Sequence, residues 1–337
     1  MPSLDVFNGD AFGVINMSGA IQRLPYTPSR IGQMNLFTET GITTTTTMVE
    51  YAAGRLVLYQ TGERGGAAKN RVTSKDRKVR TFVVPHVKVQ GEVLADSVQN
   101  IRAFGSETEM EAVASVVNDK LEQMRGGHEV THEYHRAGAL AGNILDADGA
   151  VIYNLFTEFG LTEDQYTLSL ASNAGEQKVE VREIIRDIEN ELGAIPYKGI
   201  HALCDDEFFD NLLKCEGIRE SYDRWQDGQF RRDQNGRDDG GFTYLGVTWE
   251  NYRGKVGSTT FLQGTNVARF FPTGVKDCFT TILAPADYME TVNTKGKLLY
   301  AKQERMPFDR GVALESQSNA LFMCNMPGVL KKVTFGA

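Results

Sequence analysis

SETEMEAVASVVNDKLEQMRGGHEVTHEYHRAGALAG, residues 106–142, is the stretch that decides the fold of this chain. Ser106 and Glu109 have the spacing of a capping box, in which each side chain bonds the backbone N–H at the other position. Gly126-Gly127 can break or kink a helix. A helix that continues past this pair spans about thirty residues, or about 45 Å, which is unusually long for a globular domain. Its apolar residues recur every three or four positions and form one stripe: Met110, Val113, Val117, Leu121 and Met124.

The same stretch contains a metal-binding motif, His128-Glu129-Val130-Thr131-His132. In zinc peptidases, two histidines one helical turn apart bind the metal and the glutamate polarises a water molecule. The glycine and histidine that follow in one class of these enzymes stand here in reverse order, as His135 and Gly138. The alternative is that the three histidines continue the apolar stripe and contact neighbouring elements. Because so short a motif often occurs by chance, we favour this second interpretation.

A projecting arm is predicted from two strands and the segment between them. Arg55–Gln60 and Arg80–Val89 have the composition of strands, and about twenty Gly-rich, charged residues separate them. A two-stranded hairpin is marginally stable by itself in water, so an arm of this kind fits a second subunit that receives it. The alternative is a surface loop without a partner. The candidate contact residues are basic: Arg71, Lys75, Arg77, Lys78 and Arg80.

Helices and strands mix along the rest of the chain. Residues 1–35 contain many Gly, Pro and Asn residues and predict an extended arm with a short helix around Met17–Leu24. The β-branched run Thr43–Thr47 favours a strand. Lys178–Leu192 is an amphipathic helix that Gly193 terminates. Further strands are predicted at Val151–Phe156, Phe242–Tyr252, Thr260–Phe271, Leu298–Lys302 and Leu321–Met326.

Composition excludes several classes of protein. The chain has 337 residues, of which 41% are apolar and 24% charged, so it can build a core and is not a disordered protein. A net charge of −8 without a concentrated basic face argues against sequence-specific DNA binding. This charge fits a protein that encloses DNA without gripping it, and it also fits simple solubility. The four cysteines form no CxxC pair and are expected to be buried cytosolic thiols: Cys204, Cys215, Cys278 and Cys324.

Targeting and cofactor motifs are not found. Residues 1–13 lack the basic and apolar regions of a signal peptide. No apolar stretch approaches the roughly 20 residues that cross a bilayer. GxSxG, P-loop and GxGxxG patterns are absent. We therefore expect cytoplasmic folding and no membrane partner, and we assign no catalytic residue, cofactor or metal ligand.

Several longer segments resemble the lambda-type major capsid protein family, the E family of phage heads. Leu24-Pro25-Tyr26, Arg30-Ile31-Gly32 and the threonine run also fit this family. The resemblance covers nearly the whole chain in order, which is far more specific than a five-residue motif. The longer segments are Glu133–Gly142, Phe242–Gly257, Pro285–Lys302 and Leu314–Pro327.

The resemblance implies the α+β fold of the Hong Kong 97-type phage capsid proteins. Its expected parts are an N-terminal arm (1–39), an extended E-loop hairpin (40–90), a peripheral domain with a long spine helix (91–177), an axial domain (178–305) and a C-terminal return to the peripheral domain (306–337). The predicted projecting arm corresponds to the E-loop. The predicted long helix corresponds to the spine helix.

The implied function is that of the major capsid protein of a tailed double-stranded DNA bacteriophage. Such a protein is not an enzyme and assembles with itself into the hexamers and pentamers of an icosahedral shell. Its implied partners are portal, scaffolding and decoration proteins, and packaged DNA without sequence readout. It is expected in the virion after assembly in the host bacterial cytoplasm. The alternatives are a zinc metallopeptidase using His128, Glu129 and His132, and the shell protein of a non-viral nanocompartment.

Overall fold

The computed structural model describes residues 30–51, 78–94, 109–169, 176–215, 218–220, 222–223 and 241–336, together with Ser18 and Ile21. The described part combines helices and sheets, as an α+β fold requires. Its α-helices are α1 (Arg30–Gln33), α2 (Glu109–Ala141), α3 (Leu155–Phe159), α4 (Glu176–Leu192) and α5 (Asp206–Lys214). Short 3-10 helices lie at Met289–Thr291, Pro307–Asp309 and Pro327–Val329. None of the described helices is both long enough and apolar enough to cross a bilayer.

Eighteen strands complete the described structure. They are β1 (Thr38–Gly41), β2 (Thr46–Tyr51), β3 (Lys78–Val83), β4 (Val87–Leu94), β5 (Asn143–Leu145), β6 (Val151–Asn154), β7 (Asp164–Leu168), β8 (Gly199–Cys204), β9 (Phe242–Tyr244), β10 (Val247–Asn251), β11 (Lys255–Val256), β12 (Thr259–Thr260), β13 (Val267–Thr273), β14 (Phe279–Leu283), β15 (Tyr300–Arg305), β16 (Gly311–Ser318), β17 (Ala320–Cys324) and β18 (Lys331–Phe335).

The long helix α2 runs unbroken for 33 residues, or about 50 Å at 1.5 Å per residue. It passes through Gly126-Gly127, so the prediction of one continuous helix is confirmed. It ends where Gly142 adopts a left-handed conformation, with φ at 73°, and donates its N–H to the Ala139 carbonyl. Glycine adopts this conformation without steric cost, which explains the helix end. The predicted capping box at Ser106 lies outside the described residues.

The chain divides into two compact units, and the first comprises residues 1–47, 81–135 and 281–322. Strands β15, β16 and β4 form an antiparallel sheet in that order. The α2 stripe packs on this sheet in one core cluster: Ile21, Val93, Val117, Leu121, Met124, Leu299, Ala301, Val312 and Leu314. Gly91 on β4 allows the close approach, because a Cβ there would lie 2.5 Å from Met124 Cε. Val117, Leu121 and Met124, the last three positions of the predicted stripe, lie in this cluster, and the side chains of Met110 and Val113 lie outside the described part.

Two strand predictions within residues 40–90 need correction. Arg80–Val89 is not one strand, because the chain leaves the sheet at Val84–His86 between β3 and β4. Pro85 explains the break, since proline has no N–H to donate to a strand ladder. Thr43–Thr47 is only partly a strand: β2 begins at Thr46, after a bend in which Thr44 Oγ1 donates to the Thr46 carbonyl at 2.7 Å. Strands β2 and β3 pair with each other. Residues 52–77, which connect them in the sequence, lie outside the described part, and so does the predicted strand Arg55–Gln60 within them.

The second unit comprises residues 48–80, 136–280 and 323–337. Its six-stranded mixed sheet has the order β7-β18-β13-β8-β10-β9. The central strands β8 and β13 are almost wholly buried, as expected for strands with both faces covered. Helix α4 buries its predicted face at Val181, Ile184, Ile188 and Leu192 and leaves Ile185 half-buried. Phe242–Tyr252, predicted as a strand, is a hairpin of β9 and β10, because Leu245 and Gly246 take positive φ angles and turn the chain.

Candidate functional site

The three histidines of the candidate metal motif lie on one buried face of α2. His128, His132 and His135 are each almost completely buried, and their spacing of four and three residues places them along a single side of a helix. They continue the stripe of Val117, Leu121 and Met124. The interpretation that the histidines extend the packed face of the helix is therefore confirmed.

Two serines of strand β16 meet two of these histidines. The distance from His128 Nε2 to Ser316 Oγ is 3.0 Å, and that from His132 Nε2 to Ser318 Oγ is 2.7 Å. Four residues of helix rise about 6 Å and two residues of strand rise about 6.6 Å. The spacing of His128 and His132 along the helix therefore matches the spacing of Ser316 and Ser318 along the strand. Each of these two imidazoles faces one hydroxyl. We call these five residues (His128, His132, His135, Ser316 and Ser318) the histidine seam.

The hydrogen-bond network assigns the proton of one imidazole. The Ser318 hydroxyl donates to the Leu298 carbonyl at 2.8 Å. A hydroxyl has one hydrogen, so Ser318 Oγ accepts from His132, which carries its proton on Nε2. That nitrogen therefore has no lone pair to offer a metal ion.

Aromatic rings pack against the seam. The rings of His128 and His132 stack with centroids 6.3 Å apart. Phe322 lies 5.4 Å from the His132 ring and 6.5 Å from the His135 ring, between centroids. Burial lowers the pKa of His128 to about 4, although a hydrogen bond with the Ser316 backbone acts in the opposite direction. His128 is therefore neutral at pH 7.

The two glutamates of the motif region have structural partners. Glu129, which a zinc peptidase would use to polarise water, accepts from Arg125 Nε at 2.6 Å. Arg125 also donates to the Ile21 carbonyl. The Glu133 carboxylate accepts the backbone N–H groups of Ile31 and Gly32 at 2.7 and 3.1 Å. Sequence reasoning did not identify Glu133 as a contact, because its partners lie about a hundred positions away in the chain.

The seam does not have the geometry of a catalytic zinc centre. Such a centre needs three protein ligands around one open position. Among the described residues, no three His, Cys, Asp or Glu side chains are grouped closely enough to hold a metal ion. The seam instead joins a helix to a strand through buried hydrogen bonds, and this fixes the rotation and register of α2 on the sheet.

The predicted basic contact residues are only partly within the described structure. Arg71, Lys75 and Arg77 lie outside it, as does the side chain of Lys78, although Lys78 begins strand β3. Arg80 is on β3 and exposed. Apolar side chains are also exposed on the paired strands, where Met48 is 73% and Val83 57% accessible. Both side chains lie on strands that flank the predicted basic segment in the sequence.

Two charged networks were not predicted from the sequence. In the second unit, Lys331 is fully buried and pairs with Asp164, directly opposite it on β7, and with Asp187 on α4. Partial burial acts to raise the pKa of Asp187, but hydrogen bonds from Lys331 and Tyr166 hold it below its usual value. In the sequence, Lys331 lies 167 positions from Asp164 and 144 positions from Asp187, so no local pattern predicted these ion pairs.

The other network lies in the first unit, on strand β16. Glu315 accepts from Lys88 Nζ at 2.7 Å and from the amides of Gln90 and Gln317 at 2.8 Å each. Partial burial acts to raise the pKa of Glu315, but the hydrogen bonds from these donors outweigh it and lower the pKa to about 2. Glu315 is therefore ionised at neutral pH and stays ionised below its ordinary pKa.

A cavity in the second unit is lined by polar groups that partly bind each other. Its volume is about 330 Å³, and its polar lining includes Asn143, Glu163, Gln263 and Arg269. Arg269 pairs with Glu163 at 2.5 Å, and Gln263 donates to the Asn143 carbonyl at 2.6 Å. Two buried atoms of this lining, Asn143 Oδ1 and Arg269 Nε, have no hydrogen-bond partner, and we assign no ligand to the cavity.

Comparison with known proteins gives a consistent answer. The sequence profile of the family described as phage major capsid protein E matches residues 13–335. The major capsid protein of Salmonella phage Felix O1 is 25% identical over 357 aligned positions, which cover 96% of each chain. The major capsid protein of Pseudomonas phage KPP10 is 27% identical and covers 76% of this chain and 78% of its own.

A solved structure shares the fold. The putative capsid protein of an E. coli CFT073 prophage superposes with a TM-score of 0.51 at 12% identity, covering 96% of this chain and 99% of its own. The predicted α+β fold of the Hong Kong 97-type capsid proteins is thereby confirmed. With its family profile matched from residue 13 to residue 335, the chain belongs to the phage major capsid protein E family.

Proposed function

We propose that this chain is the shell-forming subunit of a tailed double-stranded DNA phage head, and that it assembles into the hexamers and pentamers of an icosahedral shell. The observation that carries the proposal is the family match over residues 13–335. The Felix O1 relative, itself a major capsid protein, aligns over 96% of both chains, which supports a role for the whole chain. The subunit belongs to the virion and is assembled in the host cytoplasm.

The E-loop, residues 40–90, is the segment that we propose to reach a neighbouring copy. The pair β2 and β3 exposes Met48 and Val83, and a lone pair of strands is marginally stable in water. Burying this apolar surface against a second copy supplies most of the contact energy, at about 25 cal/mol per Å². The basic residues from Arg71 to Arg80 add charge pairs of about 0–1 kcal/mol each, which are repeated in every symmetric contact.

The rest of the chain is proposed to divide as its family resemblance implies. Residues 1–39 form the N-terminal arm, 91–177 the peripheral domain, 178–305 the axial domain and 306–337 the return to the peripheral domain. The 33-residue helix α2 supports the position of the spine helix. The side chains that pack α2 include Val312 and Leu314 of β16, which supports a C-terminal segment that completes the core of the peripheral domain.

Packaged DNA is proposed to meet the inner face without sequence readout. A net charge of −8 supports this, because like charge weakens adhesion to phosphate groups. Portal, scaffolding and decoration proteins are the further partners. We assign no enzymatic role, and the pairing of Glu129 with Arg125 and of the histidines with serines supports that assignment.

Expression of the full chain followed by negative-stain microscopy and size-exclusion chromatography tests the proposal. We expect capsomers or closed shells. A chain that stays monomeric at high concentration would overturn it. Particles that protect DNA from nuclease support the phage head, and particles that contain a cargo enzyme instead support a nanocompartment.

Metal analysis of the same preparation separates the proposal from the zinc peptidase. We expect no stoichiometric zinc and no zinc-dependent peptide cleavage. One bound zinc ion per chain, lost in His128→Ala together with such cleavage, would support the peptidase.

A further inference from the structure

Two thiols of the second unit lie side by side. Cys278 immediately precedes β14, and Cys324 ends β17, the neighbouring strand in the same sheet. Their Sγ atoms are 3.9 Å apart, and both side chains are fully buried. The other two cysteines have different surroundings: Cys204 faces the Ala202 carbonyl, and Cys215 contacts Gln177 and Asn211.

The backbone around the pair is firmly held. The Asn325 N–H donates to the Cys278 carbonyl, and the Asn325 side chain donates to the Asp277 carbonyl, both at 2.8 Å. Thr280 Oγ1 lies 3.4 Å from Asn325 Oδ1. Because these bonds hold both segments, the two sulfurs stay close, and a change of side-chain torsion can close the remaining gap to a bond of about 2.05 Å.

We propose that Cys278 and Cys324 form a reversible intramolecular disulfide site that a hydroperoxide closes. Nothing in the capsid role requires this bond, and the chemistry does not depend on that role. A hydroperoxide is the fitting oxidant because hydrogen peroxide is small and uncharged and can enter a buried site, whereas a bulky disulfide reagent cannot.

The reaction proceeds in two balanced steps. The thiolate of Cys278 attacks one oxygen of hydrogen peroxide; an S–O bond forms, the O–O bond breaks, and the departing hydroxide takes a proton to become water. The sulfur of Cys324 then attacks the sulfenic sulfur of Cys278; the S–S bond forms, the S–O bond breaks, and a second water leaves with the proton of Cys324. Two thiols are oxidised, and one peroxide is reduced to two waters.

The surroundings of Cys324 support its role as the second thiol to react. Burial, and next the contact with Cys278, raises the pKa of Cys324 well above its ordinary value. Cys324 therefore keeps its proton, as suits the thiol that resolves the intermediate. Because the thiolate is the reactive form, burial also makes the reaction slow, and the pair is expected to stay reduced in a cytoplasm and to close under prolonged oxidation.

The bond would link residues 46 positions apart. The chain leaves the second unit after Thr280 and returns to it at Met323, so the closed loop would contain the whole segment 281–322 of the first unit. Closing a loop of this length restricts the unfolded chain. The expected result is a rise in melting temperature of about 5 °C that a reductant reverses.

Peptide mapping of the full-length chain tests the proposal. The protein is purified in reductant, exposed to hydrogen peroxide, denatured, alkylated with N-ethylmaleimide and digested for mass spectrometry. We expect a linked Cys278–Cys324 peptide pair, an intact mass lower by two hydrogens, and full alkylation of Cys204 and Cys215. Dithiothreitol should restore four alkylated thiols. Alkylation of both Cys278 and Cys324 after exposure, with the protein still folded by circular dichroism, would overturn the proposal, and so would a link between chains.

Variants provide the matched control. Cys278→Ser should abolish the peroxide-dependent rise in melting temperature, and Cys204→Ser should preserve it. A rise that persists in Cys278→Ser would overturn the proposal. If Cys278→Ser does not fold, the mapping of the unaltered chain decides alone. Microscopy of the same samples keeps the two ideas separate: an unlinked chain that forms shells refutes only the disulfide, and a linked chain that remains monomeric refutes only the shell role.

Discussion

At the scale of single residues, Ser318 connects two elements through one hydroxyl, which accepts from His132 and donates to the Leu298 carbonyl. We predict that Ser318→Ala lowers the free energy of unfolding by about 1–3 kcal/mol, because it leaves buried polar groups without a partner. Urea unfolding followed by circular dichroism measures the change. Ser258→Ala, at an exposed position, is the matched control and should change stability by less than about 0.5 kcal/mol. Equal effects of the two variants would mean that the seam is not a buried network.

The buried imidazole of His128 makes a second prediction at this scale. Its pKa is about 4 in the folded chain against 6.5 for the free side chain. Between these values the unfolded chain binds the proton and the folded chain does not, so stability is complete above pH 6.5 and declines as pH falls towards 4. In the unaltered chain, the free energy of unfolding should fall by about 2–4 kcal/mol between pH 6.5 and pH 4 because of His128, and His128→Gln should abolish this decrease. The measurement is the unfolding free energy from urea titrations at successive pH values.

Glu315 provides the contrast for that experiment. Its pKa is lowered to about 2 in the folded chain from an ordinary value of 4.5, so its contribution is present above pH 4.5 and is lost as pH falls through 2. Glu315→Gln should therefore change the pH dependence only below about pH 4.5, at and below the lower end of the window of His128. A His128→Gln variant with the same slope as the unaltered chain between pH 6.5 and 4 would show that His128 is not buried as described.

At the scale of elements, the glycine pair within α2 is free of packing constraints. A Cβ at Gly126 or Gly127 would meet no atom within 4 Å. We predict that Gly126→Ala and Gly127→Ala each stabilise the chain by about 0.5–1 kcal/mol, because alanine restricts the unfolded chain and favours the helix. Thermal and urea unfolding measure the gain.

Gly138 is the control on the same helix. A Cβ there would lie 2.9 Å from the Asn143 carbonyl oxygen and 3.1 Å from Ile144 Cα. Backbone atoms cannot give way easily, so Gly138→Ala should destabilise the chain. If all three substitutions destabilised equally, α2 would have to be interrupted at Gly126-Gly127.

The elements also show how far sequence reasoning extends. Spacing of apolar residues was sufficient to find α2 and α4, because helical periodicity is a local property of the sequence. It failed at β3 and β4, where the break at Pro85 outweighed a continuous apolar run. It failed again at Leu245-Gly246, where a two-residue turn converted one predicted strand into a hairpin. In both places a single residue or pair decided the path of the chain.

At the scale of the whole molecule, we predict that the basic segment of the E-loop contributes to assembly. The triple variant Arg71→Glu, Lys75→Glu, Arg77→Glu would replace the three attractive contacts per subunit that we propose with repulsive ones. Assembly should fall by about tenfold or more, because each exposed pair contributes up to about 1 kcal/mol. Analytical ultracentrifugation gives the assembled fraction, and circular dichroism checks that the monomer is folded.

The matched control carries the same change in charge elsewhere. Lys178→Glu, Arg182→Glu, Arg186→Glu alters three exposed positions of α4. This variant should assemble much as the unaltered chain does. Normal shells from the E-loop variant, or an equal loss in both variants, would refute a specific role of the E-loop charges.

The sequence by itself determined the long helix, the apolar stripe that packs it and the family to which the chain belongs. These features depend on the periodicity of apolar residues and on the order of segments along the chain, and both can be read from the linear sequence. Only the tertiary structure decided that the histidines meet serines, that Glu133 binds the backbone at Ile31, and that Cys278 lies beside Cys324. Hydrogen bonds and ion pairs act over a few ångströms, and these partners are between 46 and 188 positions apart. The fold alone brings them within reach.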